Sequence, residues 1–486
     1  MSTGITIVGL GPSSAKMLTR EAWEILGASQ DIYVRTRNHP ALDALPKEIS
    51  IHAFDHIYNQ ADSFIEVYEA IVAQLVALAQ MEQGVVYAVP GDPGVGEATV
   101  TRLREITTAK GLPFRLIPGV SFIEPCLALL KLDALDGLYI ADALELASAH
   151  HPGFPPDRGV LVAQLHSRLI AADVKLTLLN QYPPNHQVQI ISNAGSSSPR
   201  IEAIQLEAMD RGEDYLATTS LYLPPLEGAA SFEAFQETIA HLRAPEGCPW
   251  DREQTHLSLR SHLMEETFEA LDAIDQEDMT ALKEELGDLL LQIVIQVQIA
   301  TEEGSFLMVD VIQHIQDKLI RRHPHVFADL DLEDVDQVLH NWEALKEVER
   351  DHQGAGKGIL DGVPLGMPAL AQAEEIQDRV VRVGFDWPEI SGVIAKLQEE
   401  LQELAEAESE QEQLLEMGDL LFSVVNYARW LKVDPEAALR QANQRFRDRF
   451  GHVERSAREQ GVNMSELSID ELEHLWQKAK EKYEDG

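Results

Sequence analysis

Two acidic patterns recur along the 486-residue chain. The first is Glu265-Glu266-Thr267-Phe268-Glu269, followed by Glu285-Leu286-Gly287-Asp288. The second is Glu399-Glu400-Leu401-Gln402-Glu403, followed by Glu416-Met417-Gly418-Asp419. Residues three or four apart on a helix share a face, so Glu266 projects with Glu269, Glu285 with Asp288, Glu400 with Glu403, and Glu416 with Asp419. Fifteen residues separate Glu269 from Glu285, and twelve separate Glu403 from Glu416. That is room for a helix end, a turn and the start of the next helix. An antiparallel hairpin then turns each pair toward the other. Four converging carboxylates are the all-oxygen environment that Mg²⁺ prefers, with water and phosphate oxygens completing its octahedron.

The competing reading is a solvated acidic helix face. Against it, Glu265 and Glu269 are like charges four apart, as are Glu399 and Glu403, and such pairs cost a few tenths of a kcal/mol unless something compensates. In the first set no Lys or Arg follows four residues after Glu265, Glu266, Glu269, Glu285 or Asp288. Its second pair also adjoins the apolar run 289–299, close to a core. Glu265 and Glu399 are left over from the ligand sets and are candidates to orient or deprotonate an attacking water. A phosphate also needs cations. Lys318, Arg321 and Arg322 follow the first acidic set, and Asn443, Arg445 and Arg449 follow the second. Trp250 is a candidate to stack on a base, with packing as the alternative.

These residues need helices, and the pattern supplies them. From residue 256 onward helical periodicity dominates, broken by short loops and by a Gly-rich stretch, 354–358, that reads as a linker. Aligned without gaps, Lys318 faces Arg445, Arg322 faces Arg449 and His325 faces His452, so the two helical blocks form an internal repeat. Ahead of them the pattern differs. Short β-type runs at 5–8, 31–35, 84–89, 114–117, 159–162 and 188–191 alternate with helical stretches such as 64–81. That alternation indicates an α/β domain with a largely parallel sheet. The expected division is 1–225 for the α/β domain, 246–350 for the first helical unit and 364–486 for the second. The turn Gly9-Leu10-Gly11-Pro12 follows the first strand, but Ser14 stands where a dinucleotide fingerprint has its third glycine. Two further turns, Pro90-Gly91-Asp92-Pro93-Gly94 and Pro118-Gly119-Val120-Ser121, also end strands, where glycine lets backbone approach a ligand.

The net charge is −42, from 81 acidic and 39 basic side chains. Such a surface repels the backbone of a nucleic-acid polymer, whereas a small phosphorylated ligand is admitted where metal ions carry the positive charge. The two cysteines, Cys126 and Cys248, are in no metal-ligand spacing, and no run of 18 apolar residues occurs. The expectation is a cytoplasmic chain without a disulfide framework or membrane span. Apolar stripes such as Leu289, Leu290, Ile293 and Val297 need more cover than two short hairpins supply, which points to a homodimer.

From Cys248-Pro249-Trp250-Asp251 through the first acidic set to Arg321-Arg322-His323-Pro324-His325-Val326-Phe327, the chain resembles the MazG nucleoside triphosphate pyrophosphohydrolases. Gly384-Phe385-Asp386-Trp387 and the run 443–450 resemble the second unit of that family. The resemblance implies an all-α, dimer-forming fold that binds nucleoside triphosphates, with metal ligands at the acidic positions named above. In the order of its glycine turns, the segment 3–225 resembles the tetrapyrrole methylase family. That implies S-adenosylmethionine bound between two α/β subdomains, near Gly9, Gly11, Gly91, Asp92, Pro93 and Ser121. Two other readings compete with a Mg²⁺-dependent pyrophosphohydrolase fused to a methylase-like domain. One is an S-adenosylmethionine-dependent methyltransferase whose helical tail only dimerises, and the other is a non-enzymatic nucleotide sensor.

Overall fold

The computed structural model describes residues 4–58, 64–212, 215–228, 230–328 and 358–484, with a few positions between 330 and 341. It divides into two compact units, Met1–Thr238 and Ile239–Gly486. The division falls inside the helix Phe232–Arg243 rather than at 225. Within the first unit, the Ser231 hydroxyl ahead of that helix donates to Asp157 at 3.1 Å. Within the second, Arg243 at its end donates to Glu302 at 2.8 Å and to the carbonyls of Asp251 and Gln254. The first part of the Gly-rich stretch read as a linker, 354–357, lies outside the described residues, as does 342–350 at the end of the expected first helical unit.

The first unit holds two five-stranded sheets. Strands β1 (Ile5–Gly9), β2 (Asp31–Val34), β3 (Ser50–Ala53), β4 (Val85–Val89) and β5 (Phe114–Ile117) pair in the order β3-β2-β4-β1-β5, all parallel. Every residue of β4 is buried. Val85, Tyr87 and Val89 enter one core and Val86 and Ala88 another, so the sheet is covered on both faces, as a parallel sheet requires. Strands β6 (Leu138–Asp142), β7 (Gly159–Ala163), β8 (Gln187–Ser192), β9 (Arg200–Gln205) and β10 (Thr219–Leu223) form the second sheet, in the order β6-β7-β10-β8-β9. Here only β6 and β7 pair in parallel. The expectation of a largely parallel sheet therefore holds for the first subdomain and is corrected for the second. Two of its antiparallel pairings come from the long-range return of β10 between β7 and β8, which local patterning does not encode, and the third is the β8–β9 hairpin.

Three glycine turns meet at the carboxyl end of the first sheet. Gly11 and Gly91 exchange backbone hydrogen bonds, N to O, at 3.1 and 2.8 Å. A Cβ on Gly9 would stand 2.7 Å from the Gly91 oxygen and 2.6 Å from the Cα of Gly119. A Cβ on Gly119 would stand 2.3 Å from the Gly91 oxygen. Only hydrogen fits at these points.

In the second unit, among the described residues, all regular elements are helical. The helices Arg260–Asp275 and Met279–Glu302 pack as one hairpin, and Ile390–Glu406 and Glu410–Trp430 pack as another. Each turn is capped. Asp278 accepts from the amides of Thr280 and Ala281 at 2.9 and 3.0 Å, and Ser409 with Glu412 forms a capping box. Met308–Arg322 packs on the first hairpin, and Pro435–Glu459 packs on Glu410–Trp430 and on Ala369–Val381. No helix among the described residues is long and apolar enough to cross a membrane.

The glycine contacts give a paired test by urea unfolding. Gly119→Ala is expected to destabilise the N-terminal unit by about 1–3 kcal/mol, the usual cost of overpacking. Gly27→Ala, in the helix Arg20–Ala28 with open space around its Cβ position, is expected to stabilise it by about 0.5–1 kcal/mol.

Candidate metal and nucleotide site

The first hairpin brings one carboxylate oxygen each from Glu266, Glu285 and Asp288 within 4.8 Å of one another. The second does the same with Glu400, Glu416 and Asp419. Both triads are half-buried or less, except that Glu400 is only 3% exposed, and its Oε2 is buried with no hydrogen-bond partner. Glu269 and Glu403, the fourth members anticipated from spacing, stand outside these close triads but within electrostatic reach. The Glu266 carboxyl is held above its usual range by desolvation and then by the charges of Asp288, Glu269, Glu285 and Glu265. Glu285 is raised by desolvation and then by Glu269, Glu284 and Asp288. Glu416 is raised by desolvation and then by Glu403, Asp419 and Glu400. Glu265 and Glu399, the spare carboxylates, are exposed next to the ligand face. Hard oxygen donors converging from two helices, with a buried carboxylate oxygen unsatisfied, fit a divalent cation.

The second cluster contains a group that the sequence reading missed. The Nζ of Lys396 is 2.8 Å from Glu399 Oε1 and 2.8 Å from Glu400 Oε1. Hydrogen bonds to Glu399 and then to Glu400 hold its ammonium well above the usual lysine range. The like charges of the second set are thus partly compensated within their own helix, by Lys396. The signal was present as Lys396 four residues before Glu400, because a helical ion pair forms in either direction. The first motif has His262 at the matching position.

The expected phosphate ligands lie on the helices that follow. Lys318, Arg321 and Arg322 sit on Met308–Arg322, with Lys318 and Arg322 half-buried and Arg321 exposed. Asn443, Arg445 and Arg449 sit on Pro435–Glu459, the first two exposed and Arg449 half-buried. Trp250 is 57% exposed and lies edge-on to His262, with ring centroids 6.3 Å apart. Asp386, in the second tryptophan motif, accepts from Arg429 at 2.7 Å and from the Trp430 indole at 3.3 Å, so it fastens a loop to a helix.

In the first unit, Asp92 Oδ2 accepts from the Gly119 amide at 2.8 Å and Oδ1 from the Gly94 amide at 2.7 Å. Asp92 therefore staples two glycine turns together, a role spacing did not reveal. Ser121 is buried, and its hydroxyl donates to Glu124 at 2.7 Å at the start of a helix. His39, which the sequence reading passed over, sits with Nε2 3.0 Å from the Gly11 oxygen. Its Nδ1 accepts from the Ala41 amide at 3.3 Å, so Nε2 carries the proton. Burial lowers its pKa and keeps the ring neutral. Across the unit, Gln164 after β7 and Asn193 after β8 adopt positive φ, 62° and 55°. A Cβ on Gly96 would come 3.6 Å from Gln164 Nε2, so the loop after β4 approaches the end of β7 in the second subdomain.

The geometry defines a two-part class: an α/β domain with a glycine cradle, joined to a helical bundle with duplicated carboxylate clusters. Residues 4–210 match the family model for tetrapyrrole (corrin/porphyrin) methylases, and residues 254–327 match that for the MazG nucleotide pyrophosphohydrolase domain. YabN of Bacillus subtilis (strain 168) is 39% identical over 99% of both chains. The nucleoside triphosphate pyrophosphohydrolase/pyrophosphatase MazG of Thermotoga maritima is 46% identical over 52% of this chain and 97% of its own. The nucleoside triphosphate pyrophosphohydrolase of Escherichia coli (strain K12) is 46% identical over 50% of this chain and 94% of its own. Among solved structures, a uroporphyrin-III-C-methyltransferase from Thermus thermophilus matches at 21% identity, with a TM-score of 0.36 over 46% of this chain and 93% of that one. The chain belongs to the MazG nucleoside triphosphate pyrophosphohydrolase family, in the form that carries an N-terminal tetrapyrrole methylase domain, as the full-length match to YabN indicates.

The raised carboxyls carry a stability consequence. A folded-state pKa above the unfolded value means that the folded chain binds the proton more tightly, so this contribution favours folding at low pH and is lost as pH rises through the carboxylate range. At neutral pH the metal-free cluster therefore works against the fold. Glu285→Gln is expected to raise the melting temperature slightly in chelator and to shrink the upward shift that added Mg²⁺ produces in the wild type. Differential scanning calorimetry at about pH 7.5, with and without Mg²⁺, reads both; an unchanged Mg²⁺ shift would remove Glu285 from the ligand set.

Proposed function

We propose that the helical unit hydrolyses nucleoside triphosphates to nucleoside monophosphates and pyrophosphate with Mg²⁺ as cofactor. The observation that carries this reading is the duplicated convergence of Glu266, Glu285 and Asp288 and of Glu400, Glu416 and Asp419. The relatives from Thermotoga maritima and Escherichia coli, both nucleoside triphosphate pyrophosphohydrolases, support it. Residues 246–350 and 364–486 are the two units, and a homodimer covers the apolar side chains left exposed on the hairpins, among them Leu286, Leu290 and Ile293.

In this reading Glu266, Glu285 and Asp288 hold the metal, with Glu269 completing the set, and Glu400, Glu403, Glu416 and Asp419 do so in the second unit. Bound there, Mg²⁺ supplies Lewis-acid charge to the polyphosphate oxygens. Lys318 and Arg322, with Arg321 beside them, bind and orient the triphosphate; Asn443, Arg445 and Arg449 do this in the second unit. Glu265 and Glu399 take a proton from the attacking water, since each adjoins a ligand face without belonging to its triad. Trp250 offers an exposed ring for stacking on a base.

The N-terminal unit, in the same reading, binds S-adenosylmethionine in the cradle of Gly9, Gly11, Gly91, Asp92, Pro93 and Ser121. The support is physical: no Cβ fits at Gly9 or Gly119, and the turns are held by Asp92 rather than by a filling side chain. In the cradle, Gly91 has open space where its Cβ would stand. The ligand supplies an activated methyl group, and His39 keeps the Gly11 turn in place with a neutral imidazole.

Two measurements test these readings. Asp288→Asn and Asp419→Asn each keep shape while removing a ligand charge, and each is expected to lower the pyrophosphate release of its own unit by about 10–100-fold or more. A double variant that releases pyrophosphate from mixed triphosphates at the wild-type rate would sink the carboxylate assignment; a single variant that alone abolishes release makes the other unit structural. For the first unit, calorimetry with S-adenosylmethionine and with its demethylated product is expected to give a binding heat. Gly91→Leu, which places a side chain in the open cradle, is expected to abolish it, and no heat with either ligand in the wild type would remove the cofactor.

A further inference from the structure

The two carboxylate clusters share a backbone plan but differ in charge. Counted from the paired glutamates, Lys396 in the second motif stands where His262 stands in the first. The Lys396 ammonium lies 2.8 Å from both Glu399 Oε1 and Glu400 Oε1. Glu400 is buried, and its other oxygen, Oε2, has no hydrogen-bond partner. Glu400 also belongs to the triad with Glu416 and Asp419. One buried carboxylate thus serves an internal cation and the candidate metal position at once. A buried anion needs a compensating charge, and either cation meets that need. Held at one carboxylate, the two cations repel each other. In the first cluster the matching side chain is an imidazole whose Nδ1 is buried without a partner and whose ring faces Trp250.

Resting on the reading of both clusters as metal sites, we propose that Lys396 is the resident counter-ion of the second cluster, so that the two clusters load differently. The first takes up a divalent cation without nucleotide. The second does so only when a polyphosphate draws the ammonium away from Glu399 and Glu400. Lysine suits this part, being a compact charge on a flexible four-carbon stem that can swing from a carboxylate to a phosphate oxygen. The two units of one chain then differ in order of addition: metal before nucleotide in the first, metal with nucleotide in the second. Lys396 is a positioning residue in this scheme, acting on the metal through the carboxylates it occupies.

The test uses the full chain and Mn²⁺ as the probe, with binding followed by electron paramagnetic resonance, which reads free Mn²⁺ independently of turnover. Asp288→Asn isolates the second cluster and Asp419→Asn the first. Without nucleotide, the Asp419→Asn protein is expected to bind Mn²⁺ at least about tenfold more tightly than the Asp288→Asn protein. A non-hydrolysable α,β-methylene triphosphate is expected to close most of that gap. Adding Lys396→Met to Asp288→Asn is expected to tighten nucleotide-free binding by about tenfold and to abolish most of the gain from the analogue. Adding Lys396→Arg, which keeps the charge, is expected to leave nucleotide-free binding weak, separating a charge effect from a packing effect. Equal nucleotide-free affinities of the two clusters, or no tightening on removal of the lysine charge from a protein that still melts cooperatively, overturn the inference while leaving the metal reading standing. Absence of Mn²⁺ from both clusters, with and without the analogue, removes the metal reading and this inference together.

Discussion

Carboxylates forced together on adjoining helices are the constraint around which the helical unit is organised. Within each hairpin, three acidic side chains bring oxygens within 4.8 Å, and a fourth adds its charge from one turn away. Left to themselves these groups repel, and their raised pKa values record partial loss of water and then that repulsion. The hairpins must hold the arrangement by other means. They do so with capped turns at Asp278 and Ser409 and with buried apolar seams, among them Val294, Ile295, Val297 and Ile299 in the first hairpin and Val425 in the second. Arg243 ties the end of the first hairpin to the turn that carries Trp250. Like charges held together on rigid helices are the arrangement whose repulsion a divalent cation would relieve.

The N-terminal unit handles the ligand problem in the opposite way. It gathers backbone rather than charge. Gly9 and Gly119 approach each other and the Gly91 oxygen so closely that no Cβ fits at either, and Asp92 spends both oxygens on the amides of Gly94 and Gly119. His39 is kept neutral by burial and bonds the Gly11 oxygen. Such a cradle depends on sheet register, since β1, β4 and β5 must end level with one another for the three turns to meet.

Duplication has left the two helical blocks alike in backbone and different in detail. Lys396 supplies internal charge to one cluster, and His262 stands in its place in the other. The joint between the blocks includes Arg440 and Asp275, 3.2 Å apart. Apolar side chains stay exposed on both hairpins, from Leu286 and Ile293 to Leu414 and Leu421, which is the surface character of a bundle that takes further packing.

Periodicity alone determined that helices dominate the described residues from 256 onward, that the acids pair on shared faces, and that the blocks repeat, because helix geometry converts spacing of three and four directly into proximity. The buried run of β4 and the glycine turns were legible for the same local reason. The insertion of β10 between β7 and β8, the bond from Gly119 to Asp92, the fastening by Asp386 and the closeness of Gly9 to Gly119 were decided by tertiary structure, since each joins residues tens to more than a hundred positions apart whose meeting depends on how layers stack. Lys396 lies between these cases. Its spacing to Glu400 was written in the chain, but only packing could bury that carboxylate, leave one of its oxygens without a partner, and so turn an ordinary helical ion pair into part of the candidate site.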